Sequence, residues 1–158
     1  MRTAAKLVPL IIVLCASSFA SGAQPRDTTV IDKFISSQES RKNGNQAEGI
    51  RTVLRGDLNH DGIPDTAVLY TLEGQNGTNN YVQYLAVFVR LKGRLVHVAH
   101  TPVGGKNYRA IEIKSIRNNV IFCNTTSYAE KDPSCCPTIK GSTRYALVGD
   151  KLKEAPHP

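Results

Sequence analysis

Asp57-Leu58-Asn59-His60-Asp61-Gly62-Ile63-Pro64-Asp65 is the one stretch of this chain whose residue types and spacing suit a specific chemistry. Asp57, Asn59 and Asp61 recur at every second position, and Asp65 follows. Carboxylates this close repel one another without a counter-ion. A hard divalent ion would make them ligands. Ca²⁺ takes about six to eight oxygens at about 2.3–2.6 Å and tolerates irregular loops, whereas Mg²⁺ demands a stricter octahedron and keeps its water. The expected ligand set is the side-chain oxygens of Asp57, Asn59, Asp61 and Asp65, with the backbone carbonyl of Ile63. Gly62 stands where the loop must bend and a side chain would obstruct, while Leu58 and His60 should point away. An acidic, glycine-containing bend that binds nothing has a similar composition, since Asp and Asn favour turns for their own reasons. The simultaneous match at 57, 59, 61, 62 and 65 weighs against it.

A helix–loop–helix EF-hand requires a Glu at the twelfth position of the loop. That position is Val68, inside a run (Thr66 to Leu72) rich in strand formers. The segment instead resembles the calcium loop of FG-GAP/VCBS-type repeats, in which Asp-x-Asn-x-Asp-Gly-x-x-Asp links two strands. Gly56 to Asn59 and Pro64 to Val68 carry the likeness. That family builds β-propellers from several repeats, and only one copy is present here. The resemblance therefore implies an EF-hand-like metal loop with bound Ca²⁺, but neither a propeller nor an adhesive role.

The loop must be held by the elements around it. Thr28 or Thr29 can cap a helix whose apolar residues Val30, Ile31, Phe34 and Ile35 share one side. Polar Ser36 to Asn45 should end it, with Gly44 as the breaker. Short apolar runs then alternate with turn signals: Ile50–Arg55, Thr66–Leu72, Tyr81–Leu91, Leu95–His100, Tyr108–Ile116, Val120–Tyr128 and Thr143–Val148. Thr101 to Asn107 reads as a loop, and the tail from Glu154 to Pro158 as frayed. Short connections favour antiparallel neighbours. The expectation is an α+β fold: an N-terminal helix over one face or one end of a twisted antiparallel meander of six to seven strands. The pattern leaves barrel closure open.

Residues 1–23 have the layout of a signal peptide. Arg2 and Lys6 precede apolar Leu7 to Ala16, and small Ser21-Gly22-Ala23 precede Gln24. The apolar run is too short to cross about 30 Å of hydrocarbon, so no transmembrane segment is expected after its removal. Cys15 follows Leu14, which is not small, so it reads as signal filler, with lipid attachment as the alternative. Residues 24–158 should then form one exported domain, periplasmic or extracellular. The chain of 158 residues carries a formal charge of +7, and losing Arg2 and Lys6 removes two of those charges. The other cations are spread along the strands, as on the wet face of a half-buried sheet. Nucleic acid is not the partner this pattern leads us to expect. An anionic polymer or an envelope protein suits it better.

Cys123, Cys135 and Cys136 remain in an oxidising compartment. The pairings are 123–135, 123–136 and a vicinal 135–136 bridge, and a bridge from Cys123 to one of the pair is favoured. His97 and His100, three apart on a strand, should face opposite sides and make a poor metal pair. Glu73, Glu112 and Glu130 show no spacing that makes an acid–base pair. The runs Asp132–Pro137, Tyr70–Gly74 and Tyr84–Phe88 resemble a family of small secreted bacterial envelope proteins to which no activity is assigned. Two readings compete: a calcium-stabilised binding or structural module of the cell envelope, and a small extracytoplasmic hydrolase with a structural calcium. The first is preferred, because no nucleophile–base constellation is visible.

Overall fold

Strand order in space repeats strand order in sequence, each strand antiparallel to the one before. The computed structural model describes residues 25–156, and the segment read as a signal peptide lies outside the described residues. α1 (Pro25–Lys42) precedes β1 (Asn45–Gly56), β2 (Asp65–Glu73), β3 (Tyr81–Leu91), β4 (Arg94–Gly105), β5 (Arg109–Arg117), β6 (Val120–Ser127), β7 (Ile139–Val148) and β8 (Lys151–Pro156). The α+β class is as expected, with eight strands rather than six or seven. The extra strand is the tail expected to fray. It pairs with β7 from Val148↔Lys151 to Thr143↔Pro156. Leu152 packs against the core, and Glu154 is tied to Arg109 and Thr143.

α1 runs past its apolar residues to Lys42. Ile31, Ile35 and Gln38 are buried at helical spacing, so the polar stretch continues the same inward stripe. Asp27 in the first turn and Arg41 and Lys42 in the last complement the helix dipole. Asn43 ends the helix in the left-handed region at φ 48°. The Asp27 carboxylate is buried and accepts hydrogen bonds from Arg90 at 2.6 Å and Arg55 at 3.3 Å, fastening the start of α1 to β3 and β1.

The sheet folds over on itself between β4 and β5, which share the single pairing Gly105↔Arg109. One core fills the space between the halves β1–β4 and β5–β8, with Leu58, Leu85, Val103, Ile113, Ile121 and Tyr145 among its buried members. A second core lies between α1 and the outer face of β2–β4, built on Ile31, Ile35, Tyr70, Phe88 and Leu95.

The corner is held by polar groups. Gln83 on β3 is buried and sits opposite Gly104 on β4. Its amide reaches past β4 to β5, donating to the Ile111 carbonyl at 3.1 Å and accepting from the Ile111 N–H at 2.8 Å. It thus replaces a peptide unit where the ladder is broken. Only glycine leaves room for this: a Cβ on Gly104 would lie 2.7 Å from both the Arg109 carbonyl and Gln83 Oε1. Arg109 then donates to the Val103 carbonyl, to Tyr145 and to both oxygens of Glu154. That bidentate guanidinium holds the Glu154 carboxyl below its ordinary range.

The cysteines pair differently from the favoured expectation. Cys135 and Cys136 form the vicinal bridge, and Cys123 is a free, buried thiol. Cys123 lies on the inward row of β6 with Ile121 and Thr125, and burial pushes its thiol up to about 12. The loop carrying the pair is organised outside the core by Asp132, which accepts from the Ala129 and Thr138 N–H groups and from the Thr138 hydroxyl.

Candidate functional site

The loop between β1 and β2 is anchored at three points. Leu58 is only 1 % exposed and plugs the end of the inter-sheet core. Gly56 packs so closely on Ile116 of β5 that a Cβ would lie 2.6 Å from its Cγ2. The Asn119 amide, in the turn between β5 and β6, donates to the Asp57 carbonyl at 3.0 Å. The loop is therefore fixed to both halves of the sheet.

Within it, alternate side chains take the backbone in hand. Asp57 Oδ1 accepts from the N–H of Asn59 at 3.2 Å and of His60 at 2.7 Å, and Oδ2 from Gly62 at 3.0 Å. Asn59 Oδ1 accepts from the Asp61 N–H, and Asp61 Oδ1 from the Ile63 N–H. Asn59 Nδ2 donates to Asp61 Oδ2 at 2.9 Å, so these two side chains meet. Burial pushes the Asp57 carboxyl up, but the bonds from Gly62, His60 and Asn59, with help from the Asn119 amide, outweigh it and leave the group below the usual carboxylate range.

Asp65 stands apart. It is fully buried; Oδ2 accepts from the Leu58 N–H at 3.0 Å and Oδ1 from the Arg90 N–H at 2.9 Å. The structure thus brings Asp57, Asn59 and Asp61 to one loop and sets Asp65 beneath it as a staple between the loop and β3. Among the described residues no group of three or more His, Cys, Asp or Glu is placed to hold a metal ion. By donor chemistry Asp57, Asn59 and Asp61 fit a hard cation. Asp65 fits only through lone pairs left over from its backbone bonds, since a carboxylate has about four acceptor sites. Ile63 is exposed, as is His60, and Leu58 is buried.

Gly62 is needed for a different reason from the one its position suggested. Nothing lies within 4 Å of the place its Cβ would take, but its φ is +76°. Backbone conformation, and not space, favours glycine there. Asn119 was missed in the sequence because it acts from another hairpin. Its only signal is the Asn118-Asn119 turn dipeptide, both residues being left-handed.

His97 and His100 share a face after all. The pairing with β3 slips between Val87↔Ala99 and Phe88↔His97, so Val98 is an inserted residue and restores the phase. The rings stand 5.4 Å apart between centroids, and His97 stacks on Phe34 of α1 at 4.0 Å. His97 Nε2 is buried without a partner. Burial, with His100 beside it, lowers the His97 pKa to about 4, a backbone bond at Ala99 partly offsetting this. His100 is lowered too, by burial and then by Lys42 and Arg41. A depressed histidine stabilises the fold while neutral. That contribution is intact above its unfolded value near 6.5 and is lost as pH falls toward about 4. His97→Phe keeps the stacked ring and removes the proton site. Chemical denaturation should show wild type losing about 2 kcal/mol more than the variant across that window, discounted for partial solvent access. Equal acid losses in the two proteins would exclude His97 as the cause.

The remaining carboxylates are dispersed. Glu73 borders a shallow polar hollow of about 390 Å³ with Asn45, Asn79, Asn80 and Tyr81 at the end of β2. Glu112 pairs with Lys114 on the outer surface of β5, and Glu130 lies in the loop after β6. No family model matches the chain, and no match was found among curated proteins or solved structures.

Proposed function

We propose that this chain is an exported, calcium-stabilised binding or structural module of the bacterial cell envelope. The bend at 57–65 holds Ca²⁺ through Asp57, Asn59, Asp61, the Ile63 carbonyl and Asp65. The observation that carries the reading is the loop itself. Asp57, Asn59 and Asp61 each accept backbone N–H bonds from residues farther along the bend, which orders their oxygens within one turn of chain. An ion there would neutralise the crowded carboxylates. Its role is to pin the connection between β1 and β2, and through Leu58 and Asn119 the two halves of the sheet. No observation favours the hydrolase alternative. Extracellular calcium modules often bind at about 10⁻⁴–10⁻³ M, and free ion at ten times the dissociation constant adds about 1.4 kcal/mol of stability. Calorimetric titration should show calcium binding, with a higher melting temperature in calcium than in chelator. Asp61→Ala should abolish both. No heat and an unchanged melt would reject the site.

A further inference from the structure

The two outer faces of the folded sheet are unlike. α1 covers β2–β4, whereas among the described residues no element covers β5–β8. Register fixes what that open face displays. Ile121, Cys123, Thr143, Tyr145 and Leu152 belong to the inward rows, so Arg117, Lys140, Arg144, Lys151 and Lys153 point out. Lys114 sits at the irregularity in β5 and is already paired with Glu112, which is the one carboxylate among the outward positions of these strands. Among the described residues none of the five outward cations has a carboxylate partner. Strand spacing of about 4.8 Å and a repeat of about 6.7 Å along each strand put neighbouring cations roughly 7–13 Å apart. Between them run the amide and hydroxyl groups of Asn124, Thr126 and Ser142.

We infer that this face docks a linear acidic polysaccharide. Sulfate or carboxylate groups would meet the spaced cations, and sugar hydroxyls would meet the amide and hydroxyl strip between them. Nucleic acid fits less well. The one aromatic ring of the face, Phe122, lies under Arg117 at 4.8 Å and offers no free stacking platform. The inference rests on the reading of the chain as a binding module and is independent of the ion.

The test is fluorescence anisotropy with labelled heparin and polygalacturonate oligosaccharides, with neutral dextran, single-stranded DNA and phosphatidylglycerol vesicles as competitors. Binding of the acidic polysaccharides should weaken as salt rises, because bound counterions are released. The double variant Arg144→Glu, Lys153→Glu should lose at least about tenfold in affinity while melting at the wild-type temperature. Lys33→Glu, exposed on α1 at the opposite face, should bind as wild type does. An equal loss with Lys33→Glu would show a net-charge effect and overturn the inference. So would failure to bind either acidic polysaccharide, or tighter binding to DNA or vesicles. Running each titration in calcium and in chelator separates the two ideas. Retention of heparin by a protein that gives no calcium response removes the calcium reading and leaves this one standing, and the converse removes this one alone.

Discussion

Asp65→Ala is expected to cost about 3–5 kcal/mol of unfolding free energy, because it orphans two backbone donors at once. The carboxylate has no solvent exposure and is the partner of the Leu58 and Arg90 N–H groups. A buried donor left without a partner costs about 1–3 kcal/mol, and alanine supplies no replacement. Against a typical domain stability of about 5–15 kcal/mol the loss is severe. Urea denaturation in chelator measures it free of any ion. Asp65→Asn keeps one oxygen and should recover part of the loss. Asp57→Ala should cost less, because its N–H partners lie in a solvent-accessible loop. If Asp65→Ala unfolds within a few tenths of a kcal/mol of wild type, the buried-staple account is wrong. A deficit seen only in calcium would instead assign Asp65 chiefly to the ion.

Gln83→Leu should produce the second large effect, about 2–4 kcal/mol, for the same physical reason at the other end of the sheet. Leucine has similar bulk but leaves the N–H and C=O of Ile111 unpaired at a corner where β4 and β5 share one register pair. Gly104→Ala attacks the same bridge from the other side. Its Cβ would be driven against the Arg109 carbonyl and Gln83 Oε1, at 2.7 Å each. Overpacking of this kind costs typically about 1–3 kcal/mol. Since both substitutions break one bridge, the double variant should lose markedly less than the sum of the singles. A double-mutant cycle by denaturant titration reads this coupling. Strict additivity would mean that Gln83 and Gly104 act independently and that the bridge does not hold the corner.

Where the apolar period was unbroken, the elements were legible. Tyr81 to Leu91 is apolar apart from Gln83 and Arg90, and it is β3 to the residue. The helix was visible from Val30 to Ile35 but not its last two turns, because Gln38 supplies the buried position there and a polar residue carries no hydrophobic signal. Val98 shows the complementary failure. A single inserted residue shifts the phase of a strand, and nothing in the local residue types marks it.

At the bend, the local side-chain chemistry was set by the sequence itself. Acidic and amide side chains at alternate positions, with a glycine after Asp61, favour a turn that bonds its own backbone, since the N–H partners of the Asp57, Asn59 and Asp61 side chains lie within five residues. It also determined the α+β class, through the two periodicities. Tertiary structure alone decided that Asp65 is a buried staple to Arg90, twenty-five residues away. It alone decided that Cys123 faces a core while Cys135 and Cys136 pair, and that the tail is a strand because Glu154 meets Arg109. The physical reason is common to all three. Burial and long-range partners are properties of position in the folded sheet, and a carboxylate or thiol has the same local sequence signature whether it faces water, an ion or a backbone N–H.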